Sequence, residues 1–295
     1  MKKIIKTCMS LILVGVISTL TATDISAQDI LNEDKNSVYK KELTLNKIVK
    51  QYTPLREADV MWSRKIWREI DLREKMNHPF YYPENDGEAN TTGDRKSLID
   101  VIYSAINEGS ITAYGNAIMD DEFREPMTQE EIKVIGGAEE KYIEVTDWDA
   151  VAAGADPEEV TVQRLSKKQF DRNTVKKWRL KEEWFFDKQY SSMQVRILGL
   201  APLQEDRDEV TERLTGTFSP LFWVHFPEAR EVLINAEIFN SVKNDAERRT
   251  YDDLFWKRMF SSYIHKESNV YDREINEYEK DGVRALLNGE RIKQG

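Results

Sequence analysis

Hydrophobic and polar residues alternate with a helical period in residues 56–76. Trp62, Ile66 and Ile70 fall four positions apart, and charged residues fill much of the sequence between them. Apolar residues that recur every third or fourth position form one face of a helix. The pattern therefore predicts an amphipathic helix in this segment, with Asp59 as its N-cap.

Two prolines end this predicted helix. Pro79 and Pro83 cannot donate a helical backbone hydrogen bond, and the three residues between them are aromatic. A polar linker then completes a segment that we place at residues 59–93. Beyond it, we expect Asp94 to cap the next helix and Gly109 to end that helix in a left-handed conformation.

A period of two residues marks the middle of the chain. Apolar and charged side chains alternate in residues 178–186, and the alternation resumes in residues 193–197 after a short polar turn. Two such runs predict an antiparallel hairpin. Residues 221–226 are apolar and aromatic throughout, which is typical of a strand covered on both faces. Residues 111–114 predict a further short strand, and residues 205–217 a charged loop.

Helical periodicity returns after Pro227, in residues 229–239 and again in residues 256–263. Thr128 with Glu131, and Thr250 with Asp253, have the spacing of N-terminal capping boxes. The charged residues 272–293 also favour a helix, whereas residues 125–159 are broken by glycine and proline into short pieces and loops. Residues 94–295 are therefore expected to form an α+β core in which helices flank a small antiparallel sheet.

The first 28 residues have the layout of a secretory signal peptide. Three lysines precede an apolar run at residues 8–20, and a segment of small residues ends near Ala27. The alternative is a membrane anchor, but a stable spanning helix needs about 20 apolar residues. We therefore expect export with cleavage near Ala27 or Gln28, followed by a polar N-terminal arm at residues 29–58.

The only cysteine, Cys8, lies inside this predicted signal. The exported chain would then contain no disulfide and no thiolate metal ligand. Cys8 sits early in the apolar run and not just after it, so we expect no lipid anchor on this chain. Removal of residues 1–28 takes away three lysines and one aspartate, which changes the net charge from −10 to −12. An acidic chain is a poor partner for nucleic acid or an anionic membrane surface.

The residues that usually carry chemistry are scarce. The three histidines, His78, His225 and His265, stand in no HExxH or HxH arrangement, so the sequence contains no metal motif. It also contains no G-x-S-x-G, G-x-G-x-x-G or Walker motif. We therefore predict no catalytic residue, no metal ligand and no cofactor.

Two other functions stay open at this point. An exported hydrolase could use an unfamiliar carboxylate site, with Asp252 or Asp187 as its acid or base. A periplasmic binding protein could line a pocket for a small ligand with its tryptophan-rich strands.

Interface-type residues are concentrated in the segment at residues 56–76. Trp62, Trp67, Arg68 and Arg73 all fall there, and tryptophan and arginine often supply most of the binding energy at protein interfaces. The alternative is that the tryptophans belong to the core and the arginines are solvated. These four residues are our candidates for binding a partner protein.

Several long strings in the chain resemble one protein family. Residues 61–77 read MWSRKIWREIDLREKMN, residues 183–188 read EWFFDK, and residues 250–258 read TYDDLFWKR. Residues 221–223, 227–230 and 266–269 extend the likeness, which covers nearly all of the chain after residue 28. The strings resemble the GldN family of gliding-motility proteins, and most strongly its PorN members.

The resemblance implies a component of the type IX secretion system of Bacteroidota, without catalytic activity. Members of the family associate with themselves and with an outer-membrane lipoprotein, GldK or PorK, in periplasmic rings. The resemblance also implies coupling to the inner-membrane motor through the periplasmic part of GldM or PorM. The expected location is the periplasm, at the inner face of the outer membrane, where the lipoprotein holds the chain without direct membrane insertion.

Overall fold

A computed structural model describes residues 47–83, 95–115, 122–135, 140–146, 161–167, 170–207, 213–238 and 247–294. All of them belong to one compact unit, residues 47–295. The strands are β1 Val60–Asp71, β2 Ala113–Tyr114, β3 Glu140–Thr146, β4 Thr161–Lys167, β5 Val175–Asp187, β6 Ser192–Arg207, β7 Leu214–Pro220, β8 Trp223–His225 and β9 Tyr263–Glu267. The helices are α1 His78–Tyr81, α2 Leu98–Asn107, α3 Gln129–Val134, α4 Phe226–Leu233, α5 Tyr251–Trp256, α6 Ile275–Tyr278 and α7 Gly282–Gln294. Single 3₁₀ turns occupy Glu57–Asp59, Lys75–Asn77 and Arg172–Thr174.

Seven strands form one antiparallel sheet. The order across it is β2-β8-β6-β5-β1-β9, with β7 paired to β6. The strands β3 and β4 form a separate two-stranded sheet, in or next to sequence that predicted only short pieces and loops. The α+β prediction is confirmed, but the main sheet is larger than the small sheet that the sequence predicted.

The helix predicted over residues 56–76 is wrong, because most of this segment is strand β1. A spacing of four residues fits a helix, but four is also even, so Trp62, Ile66 and Ile70 share one face of a strand as well. β1 pairs with β5 along its whole length and with β9 near its middle. Asp59 ends a 3₁₀ turn and receives a hydrogen bond from Arg56 at 2.8 Å, so it caps no helix.

The hairpin predicted from the alternating runs is confirmed. β5 and β6 pair in antiparallel register from Val175 with Gln204 to Asp187 with Ser192. β6 runs further than the alternation indicated, to Arg207, and β7 begins at Leu214, so part of the predicted charged loop is strand. The short strand predicted near residues 111–114 is also present, as β2.

Helices α2, α4 and α5 cover one face of the sheet. Their apolar side chains join those of β1, β5 and β6 in a single core cluster, in which Trp178, Leu180 and Phe255 are almost fully buried. Gly109 has a φ of 76° just after α2, as predicted. The N-cap of α2 is Ser97, whose hydroxyl accepts from the backbone N–H of Asp100. The predicted cap, Asp94, lies outside the described residues.

Both predicted capping boxes are confirmed. Thr128 and Glu131 begin α3, and Thr250 and Asp253 begin α5, with reciprocal hydrogen bonds in each pair. The helix predicted over residues 256–263 is wrong, since α5 ends at Trp256 and Tyr263 begins strand β9. The charged C-terminal region forms two helices, α6 and α7, and Gly282 begins the second.

Candidate interaction surface

The ends of β1, β5 and β6 form a three-stranded tip beyond the helix-covered core. Five consecutive residues of β1, residues 61–65, are exposed. β9 pairs with β1 only from Ile66 to Glu69, so the outer edge of residues 60–64 faces no strand among the described residues. A sheet edge of this kind can accept another strand.

One face of this tip is apolar. The register places Trp62 opposite Phe186 and Phe186 opposite Met193, so the three side chains project from the same face. Trp184 pairs with Val195 in the same way. Trp62 is 43% exposed and Met193 is 51% exposed. Large half-exposed apolar side chains in one patch mark an interaction site more often than scattered ones do.

Helix α7 forms the opposite wall, so the tip and the helix enclose a groove of about 810 Å³. We call it the Trp62 groove. It is lined by Trp62, Arg64, Ile66, Trp184, Phe186, Met193, Val195, Glu267, Asn288, Arg291, Ile292 and Lys293. An aromatic floor with charged groups at the rim is the usual composition of a protein-binding site.

The rim of the Trp62 groove carries more positive than negative charge. Arg64 is paired with Glu267 at 2.8 Å and lies 6.0 Å from the Trp62 ring. Lys293 is paired with Glu290. Arg291 has no ion pair with any residue in the described part of the chain. One cation at the rim is therefore available to a partner's carboxylate.

Trp67 lies on the other face of β1 from Trp62. It is 8% exposed and packs with Ala201 and Trp223. The ammonium groups of Lys181 and Lys266 lie 5.5 Å and 4.8 Å from its ring. This placement favours a structural role, because a partner could reach little of the ring.

The side chain of Arg68 is also largely buried in the fold. Its guanidinium lies 3.8 Å from Glu182, which is fully buried and also accepts a hydrogen bond from Arg258 at 2.6 Å. Burial lowers the pKa of Arg68, although the charge of Glu182 opposes that shift. Breaking such a buried pair leaves an uncompensated charge, so Arg68 bears on stability.

Arg73 lies just beyond the C-terminal end of β1. Its side chain is 67% exposed and donates to Asp71 at 2.5 Å. The hydrogen bond to Asp71 raises the pKa of Arg73. The sequence thus placed the four candidate residues on one predicted helix, whereas the structure brings only Trp62 to the groove. Partner binding by the four residues stays a prediction.

A buried ionic cluster that the sequence did not indicate lies on the same face of β1 as Trp67. Glu69 is 3% exposed and receives hydrogen bonds from Arg179 at 2.6 Å and from Tyr263 at 2.5 Å. His265 lies 3.5 Å from Glu69 and 2.8 Å from Glu274. His265 lies in strand β9, just after the segment in which the sequence predicted a helix.

The cluster changes the acidity of Glu69. Burial alone would raise the pKa of this carboxyl, but His265, Arg179 and the Tyr263 hydroxyl together lower it to about 2. A carboxyl with so low a pKa is a weak base. The cluster therefore fits a structural role better than a role in acid–base catalysis. The available signal in the sequence was the run of cations at every second position of β5, namely Lys177, Arg179 and Lys181.

The two aspartates that were considered as catalytic groups of a hydrolase are buried and hydrogen-bonded within the fold. Asp252 is 6% exposed and accepts two hydrogen bonds from Arg230, at 2.7 Å and 3.1 Å. Asp187 accepts from the backbone N–H of Gln189 at 2.8 Å, at the β5–β6 turn. These contacts account for both residues as structural groups.

A second cavity, of about 440 Å³, lies between residues 50–53, the N-terminal part of β6 and the end of α5. Tyr52 stacks on Trp256 at 5.1 Å, and the guanidinium groups of Arg196 and Arg230 lie within 5.1 Å of its ring. The backbone oxygen of Thr53 accepts from Arg196 at 2.6 Å. Through these contacts, residues 50–53, which precede β1, pack against the core.

Among the residues that the structure describes, no group of three or more His, Cys, Asp or Glu side chains is arranged to hold a metal ion. The described helices include none with both the length and the apolar character needed to span a bilayer.

Comparison with protein families decides the relationship that the sequence strings indicated. Residues 55–295 match the family described as gliding motility associated protein GldN. The chain belongs to the GldN family. The predicted resemblance is confirmed, and membership associates the GldN chain with gliding motility and type IX secretion. GldN is not a known enzyme family. Comparison with curated proteins gave no match.

Proposed function

We propose that this GldN chain is a non-enzymatic structural subunit of the type IX secretion system. It forms a periplasmic ring with a GldK/PorK-like outer-membrane lipoprotein and couples that ring to the periplasmic part of a GldM/PorM-like motor. In this role it supports protein secretion and gliding-type motility. It acts by binding neighbouring proteins and catalyses no reaction.

The family match over residues 55–295 carries the proposal. The geometry agrees with it at the Trp62 groove, where an exposed aromatic floor meets a basic rim. The buried carboxylates Glu69, Asp252 and Glu182 are instead engaged in ion pairs with arginines, and His265 lies between two carboxylates. A chain with these features is suited to assembly.

The proposed location is the periplasm, at the inner face of the outer membrane. The predicted signal at residues 1–28 supports export. The lipoprotein partner supplies the attachment to the membrane, and the GldN chain itself inserts no segment.

The proposal is tested by deleting the gene in the host and replacing it with variants. We expect deletion to abolish release of secreted cargo, and the intact chain to co-purify with the lipoprotein from the envelope fraction. Trp62→Glu is expected to reduce the amount of the chain that is assembled in envelope complexes, because it places a charge on the aromatic floor of the groove.

The matched control is Met76→Glu, which changes another apolar side chain that is 62% exposed, beyond the opposite end of β1. Normal cargo release without the chain would refute the proposal. A chain that is absent from lipoprotein complexes would refute it too.

A further inference from the structure

Helix α7 carries a second exposed apolar surface, outside the Trp62 groove. Val283, Leu286 and Leu287 are 66%, 55% and 64% exposed. Their spacing of three and four residues aligns them along one side of the helix. We call this stripe the α7 ridge. The buried side of the same helix carries Ala285 and Gly289, and Gly289 packs against Ile264.

The groove and the ridge are both apolar. A helix that presents apolar side chains at such spacing commonly docks in an apolar groove of a partner. The groove of about 810 Å³ has an aromatic floor, whereas the ridge is a row of aliphatic side chains. Apolar burial would therefore stabilise the contact between them.

Their charges also match. Three cations and one carboxylate line the groove, on a chain whose net charge is −10. The sequence around the ridge, residues 277–290, contains four carboxylates and two cations. Asp281 and Glu290, which flank the ridge, are 58% and 57% exposed at their side chains. A basic rim that meets an acidic surround favours association in one orientation.

One copy cannot join its own ridge to its own groove. Arg291 and Ile292 of α7 line the groove, while Val283 and Leu287 project from the same helix to solvent. A rigid helix cannot place its outer side in the groove that its flank borders. The contact therefore requires two copies of the chain.

We infer that the α7 ridge of one copy docks in the Trp62 groove of the next. This inference rests on the proposed function as a ring subunit and assigns the two surfaces through which copies meet. The two surfaces differ, so the contact is heterologous, and repeating it gives a closed ring or an open filament.

Disulfide cross-linking tests this pairing directly. Cys8 is the only cysteine, so the full chain with Cys8→Ser carries engineered thiols alone. We expect a mixture of Leu287→Cys and Met193→Cys chains to give a disulfide-linked heterodimer under mild oxidation. The control mixture, Leu287→Cys with Met76→Cys, should give far less, since Met76 is also exposed but lies beyond the other end of β1.

A charge reversal provides an independent measurement. Arg291→Glu should weaken self-association in sedimentation experiments by about tenfold or more, because it sets like charges against each other at the contact. Lys75→Glu reverses an exposed charge beyond the other end of β1, away from the groove and the ridge, and it should not weaken self-association.

Three results would overturn the pairing. They are a chain that stays monomeric, homodimers of Leu287→Cys without the heterodimer, and a partner strand cross-linked along the outer edge of residues 60–64 instead. None of them would contradict the proposed role in secretion, which is decided by cargo release from the deletion strain.

Discussion

Trp62 and Trp67 are five residues apart in the same strand, yet their surroundings differ sharply. Trp62 is 43% exposed over the groove, while Trp67 is 8% exposed between two lysines on the other face. The difference follows from the alternation of side chains along a strand, since an odd separation puts two residues on opposite faces. The two residues are therefore both tryptophans but have different roles.

The two tryptophans should respond differently to truncation. Trp67→Ala is expected to lower the free energy of unfolding by about 3–5 kcal/mol, because it leaves a cavity in a packed cluster. Trp62→Ala should cost less than about 1 kcal/mol, as is usual for a surface position. Urea denaturation at neutral pH measures both values. Equal losses in the two variants would contradict the assignment of Trp67 to the interior.

Glu69 should make stability depend on pH in an acidic window. Its pKa is about 2 in the folded chain, against an ordinary value of 4.5 for a glutamate, so its contribution to stability is present above pH 4.5. The contribution is lost as the pH falls from about 4.5 to about 2, and it amounts to about 3 kcal/mol.

Glu69→Gln isolates this contribution. The variant should be less stable than the natural chain at pH 7, because Arg179 loses its charged partner. The stability difference between the two chains should narrow as the pH falls through that window, as followed by thermal unfolding. A difference that stays constant from pH 7 to pH 2 would show that the carboxylate is not the source.

At the scale of elements, the face of the sheet that carries Trp67 depends on a contact at Gly199 in β6. A Cβ at this position would lie 2.4 Å from Cζ of Phe123, whose ring covers the strand from the segment before α3. The Phe123 ring also packs against Trp223 and His225. Glycine is therefore favoured here because any larger residue would displace the ring, and not because of its backbone conformation.

Gly199→Ala should destabilise the fold by about 1–3 kcal/mol, as expected for overpacking. In a Phe123→Ala background the same substitution should cost clearly less, because the obstructing ring is gone. A double-mutant cycle from denaturation midpoints measures this coupling. If the two effects simply add, Phe123 does not occupy the space above Gly199.

The sequence predicted those elements whose signals are local. Capping boxes at Thr128 and Thr250, the stop at Gly109 and the β5–β6 hairpin each depend on a few neighbouring residues, and all four are present. β1 depends instead on its neighbours in space. Both of its faces are covered near Trp67 and Glu69, so the simple alternation of a half-buried strand is lost.

The residues of the candidate site also fall into two groups, those that the local sequence indicated and those that only the fold brings together. Composition indicated that tryptophans near residue 60 belong to an interface, and Trp62 does lie in an exposed groove. Phe186, Met193 and Arg291 join it from sequence positions more than a hundred residues away, through strand register and the packing of α7. Only the pairing of β1, β5 and β6 and the packing of α7 could have revealed them.

At the scale of the whole molecule, one face of the sheet is closed by helices and the tip remains open. The core around Trp178 and Phe255 supplies stability, while the groove and the ridge lie together at the end that holds α7. The stable interior and the proposed assembly surfaces therefore lie in different parts of the molecule. Substitutions at the groove can change association without unfolding the chain.

β1 also has a mechanical consequence. It is a single strand that joins the exposed tip to the ionic cluster at Glu69, and it is registered with β5 at eleven positions. Interstrand hydrogen bonds run across the strands, so a pull along β1 would shear all of them at once and not open them one by one. Tension applied by a neighbour at the tip is therefore spread over the entire strand pair, which makes this part of the subunit a stiff tether.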